Sequence, residues 1–176
     1  MASHIVSPAA SIVRRFRLAA ITALLAVCLP AWAAELPFAQ PRPQLYTAGQ
    51  PSAAQLQQAA AAGVTTLIDL RQPDEARGFD ETSAAERLGL RYVRIPIAGA
   101  AGLTDANAQA LRTVLAQSQG PVLLHCASGN RAGALLALLE ARNGASVDEA
   151  LTLGRAAGMT SLEAPTRVLL EQDAAR

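Results

Sequence analysis

The sequence predicts a single-domain α/β fold in which a mainly parallel central sheet carries helices on both faces. Three observations lead there. Short β-branched or wholly apolar runs, "VTTLIDL" at 64–70, "LRYVRI" at 90–95 and "VLLHC" at 122–126, alternate with helical stretches, the order that builds a parallel sheet. "VLLHC" has no polar face, as a strand covered on both sides requires. Glycines at 63, 89 and 120 punctuate the helix ends that precede these strands.

Taken in order, "AELPFAQPRPQ" is proline-rich and reads as an extended lead-in, placed at residues 34–43. The domain itself spans 44–176. "QLYTAGQPS" gives a short strand and turn, and Ser52 is a suitable N-cap for the helix "AAQLQQAAAA". After "VTTLIDL" the loop "RQPDEARGF" leads to a second helix at about Glu81–Leu88. "LRYVRI" stops at Pro96, and "PIAGAAG" reads as a flexible loop. Thr104 caps a third helix running to about Ser118. Following "VLLHC", a helix opens near Arg131; leucines at 135, 136, 138 and 139 cover too many of its faces for a surface helix, so it is expected to be buried. Two further helices are expected, near Val147–Ala156 and Pro165–Gln172.

Residues 1–33 read as a secretory signal peptide rather than as part of the fold. Arg14, Arg15 and Arg17 form a positive start, "LAAITALLAVCLP" an apolar core, and "AWA" at 31–33 a small-residue cleavage site, so the mature chain is expected to begin near Ala33/Ala34. The apolar run is shorter than the roughly 20 residues that span a bilayer, and Val27 before Cys28 is a poor lipoprotein signal. The expectation is therefore a periplasmic or secreted protein with no stable membrane anchor after cleavage. Cleavage leaves twelve basic against fourteen acidic residues, a charge of −2, which gives no footprint for nucleic acid. Oligomeric state has no signal in the sequence.

The mature chain keeps one cysteine, Cys126, and one histidine, His125, side by side. Two adjacent ligands cannot make a three- or four-ligand zinc site, so no metal and no cofactor is expected. In "HCASGNRAG" a buried strand enters a tight loop at Gly129 and leaves it on a helix, at the strand end where open α/β sheets place their sites. Inward amides and the positive helix end suit an anion. In that setting Cys126 is expected to react as a thiolate, with Arg131 holding an oxyanion by two parallel bonds. The alternative is a small buried cysteine and an ordinary helix-start arginine. His125 is read either as a group that helps hold the loop and its ligand or as a structural histidine.

"HCASGNRAG" resembles the phosphate-binding loop of the Cys-based protein tyrosine and dual-specificity phosphatases, a phosphotyrosine-phosphatase-like fold. "YTAGQPSAAQLQQAAAAGVTTLIDLRQPDE" and "GLRYVRIPIAG" resemble the bacterial beta-lactamase-hydrolase-like phosphatase-like domain and the tyrosine-phosphatase-like domain fused to NAD kinase. The resemblance covers about residues 44–145. It implies a Cys-dependent phosphatase in which Cys126 attacks phosphorus, Arg131 holds the phosphoryl oxygens, and the loop residues Ala127, Ser128, Gly129, Asn130 and Ala132 line the ligand, a phosphorylated substrate or small oxyanion. It also implies an Asp general acid. Asp105 is the candidate, with N-terminal helix stabilisation as its ordinary role; Asp74 and Glu75 are the second option, while Asp69 and Arg71 are expected to pair structurally.

Two features depart from the phosphatase pattern. Four residues rather than five separate Cys126 from Arg131, and Ala132 stands where the family has Ser or Thr. The shorter spacing resembles the rhodanese sulfurtransferases, which carry a persulfide on the cysteine. A sulfurtransferase on the same fold, or an oxyanion-binding domain without turnover, therefore remains open beside the phosphatase.

Overall fold

A computed structural model describes Met1 and residues 36–176. The signal peptide and the cleavage site expected near Ala33/Ala34 lie outside the described residues. Five strands form one sheet in the order β1-β2-β5-β3-β4: β1 (Ala39–Arg42), β2 (Leu45–Ala48), β3 (Thr66–Asp69), β4 (Arg91–Arg94) and β5 (Val122–His125). Every pairing is parallel except that of β1 with β2. The helices are α1 (Ala53–Ala61), α2 (Glu81–Arg87), α3 (Asp105–Gln117), α4 (Asn130–Arg142), α5 (Val147–Ala156) and α6 (Glu163–Ala174).

The lead-in thus contributes a strand that its prolines had concealed, on the sheet edge where a missing N–H costs no ladder bond. The "PIAGAAG" loop also tightens into a 3-10 turn at Gly99–Gly102. The capped starts follow the sequence: Ser52 accepts from the Gln55 N–H and Thr104 from the Asn107 N–H.

Alternation along the strands sorts their side chains into two cores. Leu67 and Leu123 pack with Leu56, Ala59 and Ala85 beneath α1 and α2. Ile68, Val122, Leu124 and Cys126 pack on the other face with α3 to α6. α4 is buried continuously from Ala132 to Leu139, as its leucine pattern requires. Because β5 lies between β2 and β3, the crossovers from β2 to β3 and from β4 to β5 run in opposite directions along the sheet. The carboxyl end of β5 is therefore the switch point at which a site belongs. No helix of the described residues is long and apolar enough to cross a membrane.

α4 meets α5 at backbone distance. A Cβ on Gly133 would stand 2.4 Å from both the Gly154 carbonyl oxygen and the Met159 nitrogen, two backbone atoms that cannot rotate away. Gly133→Ala should cost about 1–3 kcal/mol, measured by urea unfolding. A variant as stable as the parent would show that the α4–α5 contact is not close-packed in solution.

Candidate active site

The loop between β5 and α4 is held from the side by the end of β2. The Cys126 N–H donates to the Ala48 carbonyl (3.4 Å), and the Gln50 N–H donates to the Ala127 carbonyl (3.1 Å). Gly129 then takes φ 86 and serves as the N-cap of α4 without any side-chain cap. A residue with a Cβ would be strained there. The uncapped start leaves first-turn amides for a ligand or water, at the positive end of the helix. The Gly129 N–H donates to Cys126 Sγ (3.1 Å), and the cysteine is buried.

Arg131 lies in that first turn. Its Nη1 donates to Glu75 Oε1 (2.5 Å) and to the carbonyl of Ile97 (3.1 Å), and its Nη2 donates to Glu75 Oε2 (2.6 Å). The hydrogen bonds to Glu75 raise the pKa of Arg131 against the effect of burial, and the Cys126 sulfur adds to the rise. Reciprocally, Arg131 holds the Glu75 carboxyl below its usual range. Glu75 was expected as a reserve candidate for the general acid; the geometry makes it an ionised partner of the arginine. Asp74, its neighbour, is exposed.

His125 ends β5 and Cys126 follows it in extended sequence, and their side chains take opposite faces of the sheet. His125 is consequently not in the cradle. It is paired in register with Asp69 and lies in a buried polar cluster beneath α2. Its Nε2 is 3.4 Å from Glu81 Oε2 and 3.9 Å from Asp69 Oδ1, and its Nδ1 approaches the Cys126 carbonyl (3.4 Å). Among the described residues its ring reaches the loop through that carbonyl. Asp69, Glu81 and His125 could together offer a cation three ligand atoms within 4.8 Å. The Arg71 guanidinium already supplies that charge: its Nε and Nη2 donate to the two oxygens of Asp69 (2.8 and 3.0 Å), and Nη2 also donates to Glu81. The Tyr92 hydroxyl donates to Asp69 (2.8 Å). Glu81 and Tyr92 gave no motif in the sequence. The legible hint was two polar residues, Asp69 and His125, closing apolar strands.

Asp105, expected as the general acid, lies away from the Cys126 loop. Its carboxylate pairs with Arg142 Nε (2.6 Å) and is 76% exposed. Arg142 closes α4, about 16 Å along the helix from Arg131 at 1.5 Å per residue. A proton donor must reach the leaving group, and Asp105 stands at the wrong end of α4 to do so.

Of the other predicted loop residues, Ala127 and Ser128 are exposed, and Ala132 is buried in the core. Ser128 and Gly129 join Gly49, Gln50 and Gly158 in lining a cleft of about 290 Å³. The Asn130 side chain turns to the segment before α6, accepting from the Thr160 and Leu162 N–H groups (2.8 and 3.2 Å) and donating to Ser161 (2.7 Å). Asn130 can therefore serve a ligand only through its backbone.

Comparison with known proteins agrees with this architecture. A family model described as "DSP-PTPase phosphatase fused to NAD+ Kinase" matches residues 33–175. A beta-lactamase hydrolase-like protein of Xylella fastidiosa is 37% identical over 120 residues, covering 65% of this chain and 28% of that protein. One from Agrobacterium fabrum is 35% identical over 105 residues, covering 57% and 24%. The chain thus spans about a quarter of the length of these curated relatives. Among solved structures, a phosphatase candidate from Neisseria meningitidis superposes with a TM-score of 0.66 at 27% identity, covering 79% of this chain and 98% of that one. Tk-PTP in its active form superposes at 0.58 and 20% identity, covering 77% and 96%, a likeness of fold.

The buried cluster sets an acid limit on stability. Burial pushes the Asp69 carboxyl up, but hydrogen bonds from the Arg71 side chain and backbone, the nearby His125 and the Tyr92 hydroxyl together bring it down to about 2, from the usual 3.8. Because the folded value is the lower one, the stabilisation is complete above the unfolded value and drains away as pH falls from about 4 to about 2, on the order of 2 kcal/mol. Asp69→Asn should flatten this acid limb in denaturant titrations and cost about 3 kcal/mol at neutral pH by leaving Arg71 half-paired. An unchanged acid limb would remove Asp69 as its source.

Proposed function

We propose, because the chain belongs to the family of DSP-PTPase phosphatases fused to NAD+ kinase, that it is a Cys-dependent phosphatase acting on phosphate monoesters. The phosphatase-like fold and relatives support phosphatase chemistry in general terms. The observation that carries the finer reading is the junction of β5 and α4. There Cys126 Sγ accepts the Gly129 N–H under an uncapped helix start, and Arg131 stands in the first turn of that helix.

In this reading the thiolate of Cys126 attacks phosphorus and forms an S–P bond while the P–O bond to the leaving group breaks. Arg131 and the loop amides hold the phosphoryl oxygens, whose charge they stabilise as bonds change. Neither Asp105, which is remote, nor Glu75, which is ionised, protonates the leaving oxygen, which leaves the exposed Asp74 or solvent as its proton source. Water then attacks the phosphocysteine, releasing phosphate and returning the thiolate. The Ala127–Ala132 backbone lines the ligand, a phosphorylated substrate or small oxyanion, with no role for nucleic acid. The secretory pattern of residues 1–33 supports export to the periplasm or medium, which the intact mass of protein recovered from a periplasmic fraction checks: it should lack the first 33 residues.

One observation favours a second reading. The four-residue step from Cys126 to Arg131, followed by Ala132 rather than a hydroxyl residue, suits a sulfurtransferase. The same thiolate would then take the outer sulfur of thiosulfate, breaking the S–S bond and releasing sulfite, and pass that sulfur from its persulfide to cyanide.

Purified mature protein offered an aryl phosphate should release phosphate. Cys126→Ser should lower that rate about 10³-fold or more, and Arg131→Lys, which replaces a two-point hold by a point charge, about 10²-fold. Phosphate release that survives Cys126→Ser contradicts the covalent mechanism. Thiocyanate from thiosulfate and cyanide without phosphate release assigns the second reading, and tungstate binding with neither turnover leaves an oxyanion-binding domain.

A further inference from the structure

We infer that Glu75 is a positioning residue that aims one edge of the Arg131 guanidinium at the oxyanion bound over Cys126. The inference rests on the site reading above, in that it takes an oxyanion to bind there, but it does not require turnover.

The donors of Arg131 can be counted. A guanidinium has five N–H groups in one plane. Nη1 spends one on Glu75 Oε1 and one on the Ile97 carbonyl, with the Leu70 carbonyl also 3.4 Å away; Nη2 spends one on Glu75 Oε2. The two left, Nε–H and the second Nη2–H, lie parallel on a single edge, the fork that receives two oxygens of a phosphate or similar anion. The Cys126 sulfur, like Glu75, raises the pKa of Arg131.

Glu75 is itself fixed, which a positioning group must be. Its Oε1 accepts the Gln72 N–H (2.6 Å), and its own N–H donates to the Gln72 carbonyl (3.2 Å). Arg77 laces the loop by donating to the carbonyls of Gln72, Pro73 and Glu75 (2.9, 2.9 and 3.1 Å). Gln50, from the turn beside the Cys126 loop, donates in turn to the Arg77 carbonyl (2.6 Å). Arginine is flexible, and ordering it at the moment of binding is costly; here the loop holds it in place beforehand.

Two effects of opposite sign meet at Glu75. Its negative charge repels an incoming anion, whereas its grip orders the arginine. A carboxylate that merely plugged the guanidinium would have to be displaced, and its removal would tighten anion binding. If Glu75 instead aims Arg131, its removal weakens binding, and only while Arg131 is present.

A double-mutant cycle on the full chain, with tungstate as the probe in calorimetric titrations, separates these cases. Glu75→Ala should weaken tungstate binding about tenfold, near the lower end expected for a lost charge-assisted hydrogen bond. On an Arg131→Ala background it should weaken nothing further and can tighten binding, because an unpaired carboxylate then faces the anion. Unchanged or tighter binding on Glu75→Ala with Arg131 in place would overturn the inference. So would equal weakening on both backgrounds, which marks a structural role, and so would absence of tungstate binding by the parent chain. Loss of phosphate release with the tungstate pattern intact would count against the phosphatase reading alone. Should Glu75→Ala fail to fold, Glu75→Gln carries the same cycle.

Discussion

Between the end of β5 and the first turn of α4 the chain must reverse its direction within Cys126–Gly129 while both flanking elements stay buried. The positive φ of Gly129 makes this turn feasible, and most of the site follows from it. The reversal brings the Gly129 N–H onto Cys126 Sγ, points the uncapped end of α4 at the same sulfur, and places Arg131 in the first turn, where its side chain can return towards the cysteine. The four-residue step from Cys126 to Arg131, the departure from the phosphatase pattern, is the frame on which this geometry is built.

Beneath this turn the sheet carries a charged layer that an apolar core would avoid. Asp69, Arg71 and Glu81 are buried beside His125, and taking the charges of an arginine and two carboxylates out of water is expensive. Their cost is offset by bonding across elements: Arg71 joins the end of β3 to α2, Tyr92 adds β4, and His125 reaches back to the Cys126 carbonyl at the end of β5. The cluster and Arg131 also share a neighbouring stretch of chain, since Leu70, Gln72 and Glu75 follow directly on Asp69. Support for the loop therefore arrives from two sides, by the ion cluster below and by the braced 72–78 segment above.

The fold was legible because its signals are local and repeated. Apolar runs of strand length, helix caps at Ser52 and Thr104, and glycine stops each occur where the structure uses them. β1 was hidden because Pro41 argues against a strand unless the edge position is known, and that position depends on β2. The Cys126–Arg131 loop was read from its strand–loop–helix setting and its resemblance to a phosphate-binding loop, with the four-residue spacing as its departure from that pattern. His125 shows what strand parity alone could have settled, since adjacent strand residues cannot share a face. Asp105 and Glu75 were beyond local reasoning. The first depends on where α3 meets the far end of α4, and the second on a contact with a residue remote in sequence, so neither distance is written in a motif.

In the proposed reaction the Cys126 sulfur, cradled by this turn, becomes covalently bonded to phosphorus. The most direct measurement is peptide mass spectrometry of protein mixed rapidly with an aryl phosphate and quenched in acid. The expected result is a peptide containing Cys126 heavier by one phosphoryl group, absent from Cys126→Ser. An unmodified Cys126 peptide during steady phosphate release would contradict it, as would a gain of one sulfur atom from thiosulfate with no phosphoryl adduct from the ester.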